Sequence, residues 1–440
     1  MAFFSDAMGR ITRFSREPAD LAQARRLPGQ AALPGLVNTH SHSFHRVLRG
    51  RGEHRARGDR PATDPWRQAH DRAAERMTAE GIFDTARMAF MEMLLAGITC
   101  VGEFHYLHGN ADGAGAGGSA MAREVVRAAH DVGIRIALLN AAWIRGDFGA
   151  PAGSAPPAFR SATVADFVRS TETLRTFVAG NYPADEAWVG VGIHHVGGVT
   201  VEDIRAIANY GHAQRLRLHA HVGTSAEENA RCIAEHGRGP VALLAENGVL
   251  DKRFTAVDAI HATDDEAKLL GAARACVCAC PTAAQNHGLG AAPVEKFIAA
   301  GAAVALGSDT GVQIDLLRDA RTIEYGLRTN RPERGALSPD PAVALLHAAT
   351  VAGARSLGAT GGGLEVGRPA DFFTINLFEP SIAGADADTL LANIVFALER
   401  RAIRDVWIGA RQRIANGRHV AHGTIVGRFV ELQQRLWSQP

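Results

Sequence analysis

Two histidines separated by a single residue, His40 and His42, stand at the end of a short apolar run that begins at Leu36. Side chains alternate across a β-strand, so both imidazoles point to the same side if this run is a strand. Two neutral imidazoles at this spacing can bind one Zn²⁺ or a similar ion. Such pairs also arise by chance on protein surfaces, so a metal site needs further ligands.

Further residues of ligand type follow later apolar runs. His219 and His221 lie in one run, His261 follows the next, and Asp309 follows residues 304–307. Only one histidine of the 219/221 pair is expected as a third ligand, and we favour His221. A bound ion would activate water for hydrolysis, with Asp309 as both ligand and proton acceptor and His261 as a catalytic group. The alternative for His261 is a hydrogen-bonded core histidine.

The segments that must position these residues alternate between strand and helix patterns, which is typical of βαβ units and a parallel sheet. Eight such strands close into a barrel whose active site lies at the carboxyl ends of the strands. An open doubly wound sheet is the alternative, although no G-x-G-x-x-G follows an early strand. The predicted strands are 36–42, 99–104, 134–143, 188–196, 216–222, 254–263, 275–282 and 303–310, and the predicted helices include 78–96, 120–132, 164–179, 226–247 and 316–328.

The two ends of the chain predict a second unit. Residues 364–377 and 406–417 have strand and turn patterns with no helix between short runs. The fold class is therefore predicted as α/β, a (β/α)8 barrel over residues 34–359 with a small β-sandwich built from residues 1–33 and 360–425. Residues 426–440 are predicted to form a C-terminal tail helix.

Composition excludes several classes of protein. The 440 residues are 46% hydrophobic and 21% charged, as in an ordinary globular enzyme. A net charge of +1 offers no footprint for nucleic acid or an anionic membrane, and no apolar run is long enough to span a bilayer. The N-terminus has no signal-peptide pattern, and Cys276, Cys278 and Cys280 cannot form a disulfide framework, so a reducing cytoplasm is expected. These thiols either pack as small apolar groups or form a soft-metal site.

The motifs around the ligand residues resemble those of the amidohydrolase superfamily. They read Leu33-Pro-Gly-Leu-Val-Asn-Thr-His-Ser-His, Ile260-His-Ala-Thr and Gly307-Ser-Asp-Thr, together with the strand of His221. The chain is most similar to N-formimino-glutamate deiminases through Asp64-Pro-Trp-Arg, Glu103-Phe-His-Tyr-Leu-His and Glu324-Tyr-Gly-Leu-Arg.

This resemblance implies one zinc ion per chain, with iron or another divalent metal as an alternative, and a homodimer acting on a small-molecule substrate. The implied ligands are His40, His42, His221 and Asp309, with His261 catalytic. Arg67, Tyr106 and His195 would line the substrate pocket. The alternatives are a surface ion pair for Arg67 and strand-end packing for Tyr106 and His195.

Three residues depart from the deiminase pattern. The family continues its metal-binding strand as His-Ile-Ala-Glu, whereas this chain has Thr224 where the proton-transferring Glu is expected. Gly198 replaces an arginine that binds the substrate carboxylate in the family. The bidentate hydrogen bonds of a guanidinium group to that carboxylate are therefore lost. His45 replaces a glutamine that touches substrate. Glu227 and Glu228 lie nearby, but acidic residues are favoured in the first turn of a helix.

Three functions are consistent with these features. The favoured one is hydrolysis of a C–N bond in an amidine, guanidine, amide or nitrogen heterocycle, with a proton donated by His261, water, His105 or His195. The second is formiminoglutamate deiminase activity that tolerates Thr224. The third is a metal-binding relative without catalytic activity.

Overall fold

The computed structural model describes residues 1–54, 64–109 and 119–438, and eight parallel strands form its centre. Each of these eight strands pairs with its neighbour in chain order. All strands of the described residues are β1 Ala2–Ser5, β2 Ile11–Ser15, β3 Gln30–Pro34, β4 Leu36–Ser41, β5 Ile98–His105, β6 Arg135–Ala142, β7 Ala187–His195, β8 Leu218–Val222, β9 Phe254–Asp258, β10 Cys276–Ala279, β11 Ala303–Leu306, β12 Phe372–Asn376, β13 Ile403–Ile408, β14 Arg411–Ala415 and β15 Arg418–His419. Strands β4 to β11 are the eight parallel ones.

The first and last of these parallel strands are joined by hydrogen bonds just beyond β11. The backbone nitrogens of Ser308 and Asp309 both donate to the carbonyl of His40, and that of His42 donates to the carbonyl of Asp309. Asn38 adds a side-chain bond to the Ser308 hydroxyl at 2.8 Å. The sheet is therefore a nearly closed barrel, which confirms the predicted fold class over the open-sheet alternative.

Helices cover the outside of the barrel between successive strands. The α-helices of the described residues are α1 Pro18–Gln23, α2 Pro65–Arg76, α3 Ala79–Leu95, α4 Ala120–Val132, α5 Val164–Asn181, α6 Val201–Ala213, α7 Ala226–His236, α8 Pro240–Glu246, α9 Asp264–Ala272, α10 Pro281–Asn286, α11 Val294–Ala299, α12 Leu316–Asn330, α13 Pro341–His347, α14 Gly353–Leu357, α15 Leu390–Phe396 and α16 His422–Trp437. Helices α2 to α11 connect the strands of the barrel, whereas α1 precedes the first barrel strand and α12 to α16 follow the last. None of the described helices is both long and apolar enough to cross a membrane.

The helix predicted over residues 226–247 is two helices. Gly237 ends α7 in the left-handed region, at φ +72°, and Pro240 occupies the first turn of α8. Glycine in the left-handed region commonly ends a helix, and proline fits the first turn of the next because its missing N–H is not needed there. The single-helix prediction is corrected at these two residues.

Both ends of the chain contribute antiparallel sheets beside the barrel. Strand β3 from the N-terminal segment pairs with β12 in a five-stranded sheet of order β15-β14-β13-β12-β3, while β1 and β2 form a separate hairpin. The ring of Phe3 in β1 contacts that of Phe372 in β12, with centroids 5.3 Å apart. This arrangement confirms the antiparallel unit from both ends, while the domain boundaries stay predictions.

Several barrel strands end earlier than predicted, and this changes which side chains face the barrel mouth. Strand β9 stops at Asp258 instead of continuing to residue 263. Asp258 and Ala259 both adopt left-handed backbone conformations, at φ +70° and +49°, which break the extended run. The carboxyl end of the sixth barrel strand is therefore occupied by Asp258.

Candidate active site

Four side chains converge at the mouth of the barrel. One ligand-type atom from each of His40, His42, His221 and Asp309 lies within 4.8 Å of the others. The Nε2 atom of His40 is 3.1 Å from Nε2 of both His42 and His221, and Oδ1 of Asp309 is 3.2 Å from Nε2 of His42. The structure thus brings together all four residues that the sequence proposes as metal ligands.

Hydrogen bonds on the far side of two rings determine which nitrogen faces the centre. Nδ1 of His42 donates to the Phe104 carbonyl at 2.8 Å, and Nδ1 of His221 donates to the His194 carbonyl at 2.7 Å. In a neutral imidazole this leaves Nε2 as a lone-pair donor, and such outer bonds are typical of histidines that bind metals.

The donor set fits a divalent metal ion. Nε2 of His40 lies 3.1 Å from Nε2 of both His42 and His221, and these two nitrogens carry no proton, so the three cannot all satisfy one another. A cation between them accepts all three lone pairs. Burial and the neighbouring histidines lower the pKa of His40, and burial lowers the pKa of His221 to about 4, so both rings favour the neutral form that binds metal. Three imidazoles and one carboxylate suit zinc.

The cluster opens onto a cavity of about 440 Å³. Arg67, Tyr106, His195, His45 and Thr224, the five residues proposed from sequence to contact substrate, all line this cavity. Residues that sequence reasoning missed also line it: Trp66, His70, Asp71, Trp143, Gly146, Asp147, His194, Ser225, Arg231, Asp258, His287, Leu289 and Thr310. The volume fits a small molecule.

Tyr106 connects two histidines on one wall of the cavity. Its hydroxyl is 2.6 Å from Nε2 of His45 and 2.8 Å from Nε2 of His70. Nδ1 of His70 donates to Asp71 at 2.9 Å, so Nε2 of His70 accepts from the tyrosine, and His45 donates to it. Burial raises the pKa of Tyr106 well above its usual value, so the phenol stays protonated. The hydrogen bonds therefore run from His45 to Tyr106, from Tyr106 to His70 and from His70 to Asp71.

Gly198 leaves no room for a side chain at the position of the missing arginine. A Cβ atom on Gly198 would lie 2.8 Å from Cε1 of His195 and 3.1 Å from Cδ1 of Trp143. Trp143 is held in place by stacking on His194, with ring centroids 4.1 Å apart. An arginine at residue 198 would therefore displace His195 or Trp143.

Asp258, rather than His261, is the polar residue of the sixth strand end that faces the cavity. Asp258 is only 4% exposed and accepts a hydrogen bond from the Thr224 hydroxyl at 2.9 Å. His261 is not among the described residues that line the cavity, and its backbone bonds Gly223 and Asn229 instead. The sequence assigned His261 to the strand end because the predicted strand ran too far. The polar residue directly after residues 254–257 was the available signal for Asp258.

Burial perturbs the carboxyl groups opposite the metal cluster. It raises the pKa of Asp258 to about 8, with a further contribution from the charge of Asp309, and that of Glu228 to about 7. Glu228 accepts a hydrogen bond from the Thr224 backbone nitrogen at 2.8 Å. His105, a possible proton donor from sequence, is buried away from the cavity lining, and burial lowers its pKa to about 3.

The comparisons with known proteins identify the family. The amidohydrolase family pattern matches residues 31–424. The chain belongs to the amidohydrolase family. This amidohydrolase is 32% identical over 429 residues to formimidoylglutamate deiminase from Pseudomonas aeruginosa, covering 96% of this chain and 92% of the relative. It is also 28% identical to 8-oxoguanine deaminase from the same species, over 88% of this chain and 82% of that protein.

Solved structures of similar fold agree with the family assignment. An amidohydrolase from Brucella melitensis has a TM-score of 0.88 at 28% identity, covering 98% of this chain and 95% of that chain. An adenosine deaminase from Xanthomonas campestris, solved with bound zinc, has a TM-score of 0.80 at 22% identity, with coverage of 98% and 92%. The second likeness extends to the fold alone.

Proposed function

We propose that this amidohydrolase uses one zinc ion to hydrolyse a C–N bond in a small molecule, of the amidine, guanidine, amide or N-heterocycle class. The observation that carries the proposal is the convergence of three imidazole nitrogens and a carboxylate, with His42 and His221 held in the metal-binding tautomer. Iron or another divalent ion is the alternative occupant. A homodimer stays a prediction from the resemblance, and a cytoplasmic location stays a prediction from the N-terminal pattern and the cysteine spacing.

The four ligand residues have distinct parts in this chemistry. A bound divalent ion supplies Lewis acidity, which activates water near neutral pH. His40, His42 and His221 hold the ion, and the Asp309 carboxylate accepts the proton that the attacking water gives up. Phe104 forms an apolar floor, since its ring centroid lies 5.0 Å from that of His40 and 5.1 Å from that of His221. This packing restricts the imidazoles to one orientation.

The cavity walls support a substrate different from formiminoglutamate. Arg67 lines the cavity without an ion pair or hydrogen bond to any other described residue, so it can bind an anionic or carbonyl group of the substrate. Tyr106, His195, His45 and Thr224 complete the proposed contacts. A second arginine at residue 198 is excluded by His195 and Trp143, so a second carboxylate would have no bidentate partner there.

The proposal is tested by metal analysis and an ammonia-release screen. Zinc-loaded wild type, Asp309→Ala and Asp309→Asn are assayed against formimino, guanidino, cyclic amide and aminated heterocyclic compounds, with thermal unfolding as a folding control. We expect one metal ion per chain and turnover of at least one compound that both variants abolish. Absence of turnover across the screen would support a metal-binding protein without catalytic activity. Rapid turnover of formiminoglutamate would contradict the proposal that the substrate differs from formiminoglutamate.

A further inference from the structure

The carboxyl end of the sixth barrel strand carries Asp258, whose backbone conformation directs its side chain into the cavity. Asp258 and Ala259 hold left-handed backbones, and Asp309 at the eighth strand end does the same at φ +45°. This conformation is costly for alanine, whereas aspartate adopts it occasionally. Strained backbone at a functional site is a basis for a hypothesis about function. In both places the turn directs an aspartate to the same cavity.

The two oxygens of Asp258 have different surroundings. Oδ2 accepts the hydroxyl proton of Thr224, while Oδ1 has no hydrogen-bond partner among the described residues and is not fully enclosed. An acidic proton on this carboxyl would therefore lie on Oδ1, on the side that is free to contact a ligand. Thr224 is itself fixed by its backbone hydrogen bond to Glu228.

An apolar environment lies on the other side of Asp258. The residue also borders a second cavity of about 260 Å³, whose wall includes Ile260, Ala279, Pro281 and Val294. A carboxyl group between an apolar wall and a small-molecule cavity interacts strongly with a polar ligand, because little water screens it. Its place at the strand end next to that of His221 brings it toward the reacting part of a substrate.

We propose that Asp258 is a catalytic residue that hydrogen-bonds the departing nitrogen of the substrate and gives it a proton, and that Thr224 is the residue that positions this carboxyl. This assignment rests on the proposed C–N hydrolysis. It supplies the proton donor that Thr224 cannot be, since a threonine hydroxyl is not an acid in this range.

The proton balance of the step is complete. Water oxygen forms a bond to the substrate carbon while Asp309 takes one water proton. The C–N bond then breaks, its electron pair stays on nitrogen, and nitrogen takes the proton from Oδ1 of Asp258. The Asp258 carboxylate recovers a proton from Asp309 through solvent or product. Overall, one water is consumed and ammonia or an amine is released.

The first test compares three variants on the best substrate from the screen. Asp258→Asn keeps the shape and the bond from Thr224 but removes the proton, so we expect kcat to fall by about 100-fold or more with metal content unchanged. Glu228→Gln, the other buried carboxyl, is expected to lose less than about tenfold, and His261→Asn less than about threefold. An Asp258→Asn enzyme within about threefold of wild-type kcat, or a larger loss in either other variant, would overturn the assignment.

The positioning role of Thr224 has its own readout. Thr224→Val removes the hydroxyl, and we expect kcat to fall by about tenfold, a larger change than that in KM. Thr224→Ser keeps the hydroxyl and should restore kcat. A purely structural role would instead lower the midpoint of thermal unfolding without this rescue, and that result would remove Thr224 from the proposal.

A binding measurement separates this inference from the proposed function. Benzamidine presents paired N–H groups to a carboxyl, and its binding to the zinc-loaded protein can be followed by calorimetry. We expect Asp258→Asn to weaken binding about tenfold or more and His261→Asn to leave it unchanged. Undetectable binding to wild type, or equal binding to wild type and Asp258→Asn, contradicts a ligand-facing Asp258. If the screen finds no turnover, this binding result alone decides the role of Asp258.

Discussion

Two walls of the same cavity are built on different kinds of backbone. The metal wall, made of His40, His42, His221 and Asp309, has three of its four residues on or beside regular barrel strands and is tied by backbone bonds between residues 40–42 and 308–309. The carboxyl wall, made of Thr224, Glu228 and Asp258, lies where strands β8 and β9 end and helix α7 begins. Regular register fixes the first wall, whereas turns and one helix start fix the second.

This difference indicates which part of the site can vary without disrupting the metal cluster. A shift of a metal ligand by one residue would turn its side chain to the other face of the strand and disconnect it. The carboxyl wall carries fewer such constraints, because its residues are linked mainly by the two hydrogen bonds of Thr224. We infer that the metal wall is kept while the carboxyl wall and Gly198 set a new substrate and proton path.

The strongest test of the metal wall is a pair of variants on one strand. His221 faces the cluster, while His219 is buried two residues earlier and lies 3.4 Å from the Ser356 hydroxyl. His221→Ala should lose bound zinc and all measurable turnover, because one of four ligands is gone. His219→Asn should keep one zinc ion per chain. Loss of zinc in His219→Asn but not in His221→Ala would reverse the assignment of the third ligand.

The sequence predicted which four side chains meet in the metal wall because they follow the strand pattern. His40 and His42 follow the two-residue period of a strand, and Asp309 follows directly from an apolar run, so eight strands and four ligands could be read together. The same reasoning placed His261 at the end of the sixth barrel strand, whereas that strand ends three residues earlier, at Asp258. Two consecutive left-handed residues, Asp258 and Ala259, terminate β9, and neither is a glycine that would have indicated the turn.

Side-chain contacts across the cavity could also not be predicted from the sequence. Nothing in the order of residues shows that His195 and Trp143 fill the space above Gly198, or that Tyr106 lies between His45 and His70. Those contacts join residues from different strand ends and loops. Sequence reasoning could name Arg67, Tyr106, His195 and His45 only through resemblance, whereas packing supplies their partners.

The hydrogen-bond chain through Tyr106 offers a test of intermediate size. Tyr106→Phe removes the hydroxyl shared by His45 and His70 and leaves two buried ring nitrogens without a partner. We expect the free energy of unfolding to fall by about 2 to 3 kcal/mol and KM to rise. Tyr210→Phe, which removes a bond to Glu172 near the surface, serves as the matched control and should cost less than about 1 kcal/mol with KM unchanged. Equal effects would remove any special role for Tyr106.

The packing at Gly198 predicts a smaller change in stability. Gly198→Ala places a Cβ within 3.1 Å of both His195 and Trp143, so we expect a loss of about 1 to 2 kcal/mol in chemical denaturation. Gly180→Ala, at a helical position in α5 with nothing within 4 Å of the new Cβ, should instead be neutral or gain up to about 1 kcal/mol. A neutral Gly198→Ala would show that the pocket can accept a side chain there.

The smallest expected effect concerns the pH dependence of the carboxyl wall. The pKa of Glu228 is raised in the folded protein to about 7 from an ordinary value of 4.5, so the folded state favours the protonated form. Its contribution to stability is therefore present at low pH and falls as pH rises from about 4.5 to about 7. In the metal-free protein, Glu228→Gln should gain on the order of 1 kcal/mol relative to wild type between pH 5 and pH 8. A constant difference across this range would contradict the burial of an ionisable carboxyl.

The most direct test of the metal centre is a crystal structure of the zinc-loaded protein with anomalous diffraction data collected at the zinc edge. We expect one strong peak per chain, at about 2.0 to 2.2 Å from the Nε2 atoms of His40, His42 and His221 and from an oxygen of Asp309. No peak at this position, or a peak held by other residues such as the thiols of Cys276, Cys278 and Cys280, would contradict the metal centre on which the proposed function depends.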